Sequence, residues 1–138
     1  MREFVLEIIT PQGAFFNEEV NSVSLDIISG RIQILANHSP FVSCIVPSAA
    51  KLEAKNNKKM FAIMEGFIQF SENHAIILTD AVEWADNIDR ERAEKALKRA
   101  EERIEKKEEN VDIERARLAL LRAKARIKVL EIKGSTSI

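Results

Sequence analysis

Phe4, Leu6 and Ile8 alternate with Val5, Glu7 and Ile9 across residues 2–9, the period-2 pattern of a strand with one buried face, and Pro11-Gln12-Gly13 stops it. The same pattern predicts strands over Val20–Ile27, broken at Ser29-Gly30, and over Arg31–Leu35, broken at Asn37–Pro40. Further runs are Phe41–Val46, Ala49–Ala54, Lys59–Met64, Phe67–Phe70 and His74–Thr79, with turn residues at Asn56-Asn57, Gly66 and Ser71-Glu72-Asn73. Eight to ten short strands at this spacing predict an antiparallel β-sandwich or barrel.

After Trp84 the period changes. Ala93, Leu97, Ala100 and Ile104 recur at spacings of four, three and four, which predicts an amphipathic helix, with Asp86 or Asn87 as its N-cap. Glu91 to Lys95, Glu94 to Lys98 and Glu102 to Lys106 are acid-first i,i+4 pairs, each worth about 0.2–0.5 kcal/mol. The run Lys106–Asn110 interrupts the stripe, and Asn110 or Asp112 is expected to cap a second helix that stops at Gly134–Ser137. That helix carries one apolar row of Ile113, Ala116, Leu120, Ala123, Ile127 and Leu130 and a second of Leu118, Leu121, Ala125 and Ile132. A short connection makes the two helices an antiparallel hairpin. The first helix can cover only one of the two rows, so the second calls for another partner. The seam is rich in Ala, which buries about 0.8 kcal/mol per methyl against roughly 1.5–3 for Leu or Ile; this fits either a detachable hairpin or close packing of small residues.

The overall α+β plan is therefore a sandwich over residues 1–84 and a helical hairpin over 85–138. Composition agrees with that division. The formal charge of −1 hides an uneven spread, because residues 1–82 hold only 6 of the 21 basic and 9 of the 22 acidic side chains. All three Pro and three of the four Gly also lie there. At 138 residues the chain is about one domain long or two very small ones. Cys44 is alone and cannot form an internal disulfide, and its place in an apolar run predicts a small buried side chain. The first residues lack a long apolar signal core and no stretch approaches a membrane span, so a soluble intracellular protein is expected.

Candidate chemistry is sparse. His38 sits in a turn and His74 at a strand start, and there is no Gly-x-Ser-x-Gly, no phosphate loop and no metal-ligand spacing, so an enzyme is not expected. The strongest charge signal is Arg115, Arg117, Arg122, Lys124, Arg126 and Lys128, six cations with no acid between Glu114 and Glu131. Arg122 and Arg126 have no carboxylate at i±3 or i±4 and need solvent or an anion from elsewhere. Arg92 and Arg99, seven apart on the first helix, are placed to face them across the hairpin. Two readings fit: a solvated basic face, or convergence on a phosphate or carboxylate cluster. A nucleic-acid surface lacks stacking aromatics beside these cations.

The sequence resembles the epsilon subunit of bacterial F-type ATP synthases nearly end to end. The matching pieces are Val5–Phe15 with its Thr10-Pro11-Gln12-Gly13 turn, Gly30-Arg31-Ile32-Gln33-Ile34-Leu35-Ala36-Asn37-His38-Ser39-Pro40-Phe41, Gly66-Phe67-Ile68, Ala81-Val82-Glu83 and Ile88-Asp89-Arg90-Glu91-Arg92-Ala93. It departs from the family pattern at Ala36, where Pro is usual, at Phe41, where Leu is usual, and at Glu65, where a second Gly is usual.

That resemblance implies a β-sandwich of about ten strands followed by a helical hairpin. It also implies a non-catalytic rotor subunit of the central stalk that binds gamma, rests on the c-ring and couples its rotation to the alpha/beta catalytic head. The position would be peripheral, on the cytoplasmic face of the bacterial inner membrane, with membrane association only through the complex. Ile28, Ser29, Gly30, Arg31 and His38 would face gamma or the c-ring. The hairpin would restrain ATP hydrolysis when extended along gamma, with Arg115, Arg122, Lys124 and Arg126 meeting an acidic loop of the beta subunit. Folded down, it would bind ATP as a regulatory ligand through Glu83, Ile88, Asp89, Arg92, Ala93, Arg99, Arg122 and Arg126; no catalytic cofactor or metal is implied. The alternative is a stand-alone anion or nucleic-acid binding module built on the basic last helix.

Overall fold

Short turns close the hairpins of the sheet. Lys55-Asn56 and Glu72-Asn73 all have φ between 49° and 66°, the left-handed pair that matches the twist of two-residue hairpins. The computed structural model describes residues 2–106 and 112–136, with side chains described as far as residue 133. Ten strands run β1 Phe4–Thr10, β2 Gly13–Val20, β3 Ser22–Ile27, β4 Gly30–Leu35, β5 Phe41–Ile45, β6 Ser48–Ala54, β7 Asn57–Ile63, β8 Gly66–Ser71, β9 His74–Thr79 and β10 Val82–Trp84. The 3-10 turn Ala85–Asn87 follows, then α1 Arg90–Lys106 and α2 Ile113–Thr136.

The strand order is β10-β7-β6-β3-β5-β8-β9-β1-β2, with β4 paired to β3 off that path. All pairs are antiparallel except β1 with β9, where Val5 to Ile9 run beside His74 to Leu78 in parallel. The alternation at Phe4, Leu6 and Ile8 holds, all three lying in the core with Val23, Leu25, Ile34, Phe61, Ile68, Phe70 and Ile77. Two strands go beyond the eight runs. β2 is separate from β3, with Val20 closing it, and β10 is a three-residue edge strand that pairs Glu83 with Ala62. Cys44 is exposed, contrary to expectation. In β5 it is Ile45 that is buried, so Val42 and Cys44 share the outward parity despite being apolar.

Trp84, at the end of β10, packs against Phe15, Phe16 and Phe61 at centroid distances of 5.0, 5.9 and 5.6 Å, with Lys59 Nζ 5.2 Å from its ring. The chain then turns into the hairpin. A second apolar cluster joins Ala49, Ala62 and Met64 of the sandwich to Ala85, Ile88, Ala93, Ala125 and Val129. Its consequence is that α2 lies on β6 and β7 as well as on α1. The second apolar face of α2 is thus covered in part by the chain's own sandwich, through Ala125, while Leu121 stays 46% exposed. The seam residues Ala93, Ala100, Ala116 and Ala123 are all buried. Of the expected helix ion pairs Glu91–Lys95 forms at 3.1 Å, and Glu94 pairs with Arg90 at 3.5 Å instead of with Lys98. The helix α2 continues through Gly134 and ends at Thr136, within the stop expected at Gly134–Ser137. Asn110 and most of the inter-helix connection lie outside the described residues.

Candidate functional site

Asp89, immediately before α1, accepts a hydrogen bond from the Arg92 amide at 3.1 Å, and its carbonyl accepts one from the Ala93 amide at 3.0 Å. It is the N-cap. Asp86 and Asn87, expected in that role, are used up in the 3-10 turn, where Asp86 pairs with Lys133 of α2. Asp112 caps α2 in the same way, accepting from the Arg115 amide at 3.1 Å.

Capping fixes Arg92 and Ala93 on the face of α1 that looks toward β10 and α2. There a cleft of about 500 Å³ is lined by Glu83, Asn87, Asp89, Arg92, Ala93, Ala96 and Arg126, a volume suited to a small ligand. Arg126 Nε donates to Glu83 Oε1 at 2.7 Å, and both side chains are about two-thirds or more buried, at 26% and 32% exposure. Arg92 is exposed and has no carboxylate partner among the described residues. Ile88 does not line the cleft; it is buried in the apolar cluster beneath it. The walls therefore offer two guanidinium groups for an anion and Glu83, Asn87 and Asp89 as acceptors or amide donors for a polar heterocycle or sugar.

The expected convergence of Arg92, Arg99, Arg122 and Arg126 is only half realised. Arg99 is exposed and off the cleft. Arg122, one turn before Arg126, does not line the cleft and grips the sandwich instead: its Nη2 and Nε lie 2.6 and 3.0 Å from Glu65 Oε1, its Nε 3.2 Å from Oε2, and its Nη2 3.0 Å from Asp80. The anions that Arg122 and Arg126 lack on their own helix are the sandwich's own carboxylates. Among the cations expected to meet an acidic loop, only Arg115 and Lys124 are exposed in this arrangement. Sequence reasoning missed Asn87 and Ala96 as cleft residues and Glu65 and Asp80 as partners. Ala96 follows Arg92 by one helical turn and was discoverable on that ground, whereas Glu65 and Arg122 are 57 residues apart.

The segments expected to face gamma or the c-ring lie at the two ends of β4. Ile28 and Ser29 form the β3–β4 turn, where Ile28 is 73% exposed, its amide donates to the Cys44 carbonyl at 3.0 Å, and Gly30 takes φ +128°. Arg31 is held by Asp26 at 3.2 Å and by the Ala49 carbonyl at 2.6 Å. His38 lies beyond the far end of the strand, about 20 Å away by strand rise. Its ring sits 5.0 Å from Phe41 and 5.7 Å from Phe70, and the neighbouring Asn37 amide donates to Asn73 Oδ1 at 2.7 Å.

A third surface was not foreseen. Cross-strand register places Cys44, Phe67, Leu78 and Ile9 in one row across β5, β8, β9 and β1. Phe67 is 58% and Leu78 50% exposed, and with Leu118 of α2 and the side chains of Thr10 and Pro11 they line an open apolar groove of about 730 Å³. No group of three or more metal-ligating side chains occurs among the described residues. His74 pairs with Glu7 at 3.2 Å, and no nucleophile and base come together in the cleft. No helix among the described residues is long and apolar enough to cross a membrane.

Comparison with known proteins covers both parts of the chain. Residues 3–85 match the family described as the ATP synthase delta/epsilon chain β-sandwich domain, and residues 86–131 match its long α-helix domain. The ATP synthase epsilon chain of Clostridium novyi is 43% identical over 108 residues, 78% of this chain and 82% of that one. The epsilon chain of Bacillus subtilis is 37% identical over 104 residues, 75% and 79% of the two chains. Among solved structures, a chain of the Euglena gracilis mitochondrial ATP synthase assembly of OSCP, F1 and c-ring superposes with a TM-score of 0.82 at 22% identity, over 93% of this chain and 81% of that one. That likeness speaks for the fold. With both family domains matched in order and relatives above 40% identity, the chain belongs to the epsilon-chain family of F-type ATP synthases.

Proposed function

We propose that the chain is a non-catalytic rotor subunit of the central stalk, peripheral on the cytoplasmic face of the bacterial inner membrane. It couples c-ring rotation to the alpha/beta head and restrains ATP hydrolysis when its hairpin leaves the sandwich. The observation that carries the reading is the docking of α2: a folded-down hairpin held by Arg122 and Arg126, with a cleft of two arginines and two carboxylates at the hairpin's root.

The cleft supports ATP as the ligand of this closed form. Arg92 and Arg126 supply the charge for phosphates, and Glu83, Asn87 and Asp89 supply polar partners for base or ribose. A ligand that binds only the closed form stabilises it in proportion to that preference. The apolar row of Phe67 and Leu78 suits gamma, and the exposed Ile28 tip suits the c-ring. The two ends of β4 then serve different neighbours, with His38 packed on the chain's own Phe41 and Phe70.

Titration of the isolated protein with ATP by calorimetry tests the cleft. Binding is expected in the wild type and lost in Arg126→Ala; retention of full affinity in that variant overturns the assignment. In the assembled synthase, removal of residues 87–138 is expected to raise ATP hydrolysis, and unchanged hydrolysis sinks the restraining role.

A further inference from the structure

Arg122 and Arg126 stand about one turn apart on the same face of α2, about 6 Å along the axis, yet only Arg126 opens into the anion cleft. Arg122 is diverted by Glu65, which engages its guanidinium through both carboxylate oxygens at 2.6–3.2 Å, with Asp80 as a second acceptor on the outer side at 3.0 Å. Glu65 is well placed for this. It precedes β8, its carbonyl accepts from the Asp80 amide at 3.1 Å, and the adjacent Thr79 hydroxyl lies within 2.9–3.2 Å of the Met64 and Glu65 carbonyls. The two carboxylates are thus mounted on rigid backbone at the mouth of the β8–β9 ladder, and side-chain exposure of 31% for Glu65 and 34% for Arg122 keeps the pair out of full solvent.

We propose that Glu65 is a built-in anion: it takes the place of a ligand's phosphate at Arg122, closing the hairpin onto the sandwich without a ligand and lowering the affinity of the cleft for a polyphosphate. The first half stands on the ion pair alone. The second rests on the nucleotide reading of the cleft given above. A planar guanidinium forked onto one carboxylate has few donors left for a second anion, so a phosphate that recruits Arg122 must displace Glu65.

Glu65→Gln keeps the shape and removes the charge. In the full chain without nucleotide, amide hydrogen exchange in residues 113–133 is expected to quicken about tenfold while β1, β8 and β9 are unchanged, the scale of one charge-assisted hydrogen bond at a third-exposed site. The same variant is expected to bind ATP about tenfold more tightly, because Arg122 becomes available. A merely structural role for Glu65 would not raise affinity. Arg122→Gln should quicken exchange alike, the double variant should exchange no faster than either single one, and the gain in ATP affinity should vanish in the double variant. Unchanged exchange in Glu65→Gln overturns the latch, and ATP affinity that is unchanged, weaker, or still raised in the double variant overturns the competition. If neither wild type nor Glu65→Gln binds ATP, the nucleotide reading falls and the competition with it, and the latch is decided by exchange alone.

Discussion

Val129 lies at the centre of the contact between α2 and the sandwich, fully buried among Ala49, Ala62, Met64 and Ala125. Replacing it with Ala removes two methyl groups, worth about 0.8 kcal/mol each, and leaves a small cavity that adds up to about 1 kcal/mol. Alanine is the better helix former by about 0.5 kcal/mol, which offsets part of the loss. The net cost of about 1.5–2 kcal/mol falls on docking rather than on the strands, since the core of the sandwich is a separate cluster. Hydrogen exchange read by mass spectrometry is therefore expected to quicken 10- to 30-fold over residues 113–133 and to stay constant in β1, β3 and β9. Leu121→Ala, at a half-exposed position on the same helix, should change exchange less than threefold. Equal acceleration in helix and strands would refute the reasoning, because it would mean that hairpin and sandwich open as one unit.

Gly66→Ala places a Cβ against the Leu78 carbonyl and within 2.8 and 2.9 Å of Thr79 Cα and Leu78 C; a loss of about 2–3 kcal/mol and a fall in Tm on the order of 10 °C are expected by calorimetry. Phe67→Asp, on the exposed row, should leave Tm within a few degrees but abolish co-purification with gamma. The Glu19 carboxyl is held above its ordinary value, first by the hydrogen bond it shares with Glu3 and then by the charge of Glu3. The folded state therefore holds this proton more tightly than the unfolded chain, so stability from this site is present at low pH and is lost as pH rises through the raised value. Glu19→Gln should flatten that slope in thermal melts taken from the ordinary carboxylate range upward.

The strands with one polar face were legible because Phe4, Leu6 and Ile8 alternate with residues that tolerate water. β5 was legible as a strand but its buried face was not, because Val42 and Cys44 are apolar on the outward side, where Cys44 joins the row with Phe67. An apolar run alone cannot say which parity faces the core. Asp112 caps α2 as expected, but the cap of α1 was misplaced for a local reason: Asp86 and Asn87 are good N-cap residues, yet the 3-10 turn consumes them and hands the role to Asp89. Half of the candidate cleft was visible in the helix opening at Asp89 and Arg92. The fate of Arg122 was not, since its partners Glu65 and Asp80 are brought to it only by the pairing of β8 with β9 and the descent of α2. Likewise the parallel pairing of β1 with β9 joins segments with about 70 residues between them, and periodicity carries no information on such partners.

Trp84 has one more consequence. The sequence holds a single Trp and no Tyr, so the near-ultraviolet emission of the whole chain comes essentially from one indole at the joint between sandwich and hairpin. Three phenylalanines of the sandwich pack on that ring, which also borders a second pocket, separate from the anion cleft, walled by Asp86, Asn87 and Lys133. Departure of α2 takes Lys133 away and wets one edge of the indole without loosening the aromatic cage. The protein thus carries its own optical label at the joint, and a red shift of emission without a change in strand signal is the sign expected of the proposed release of the hairpin.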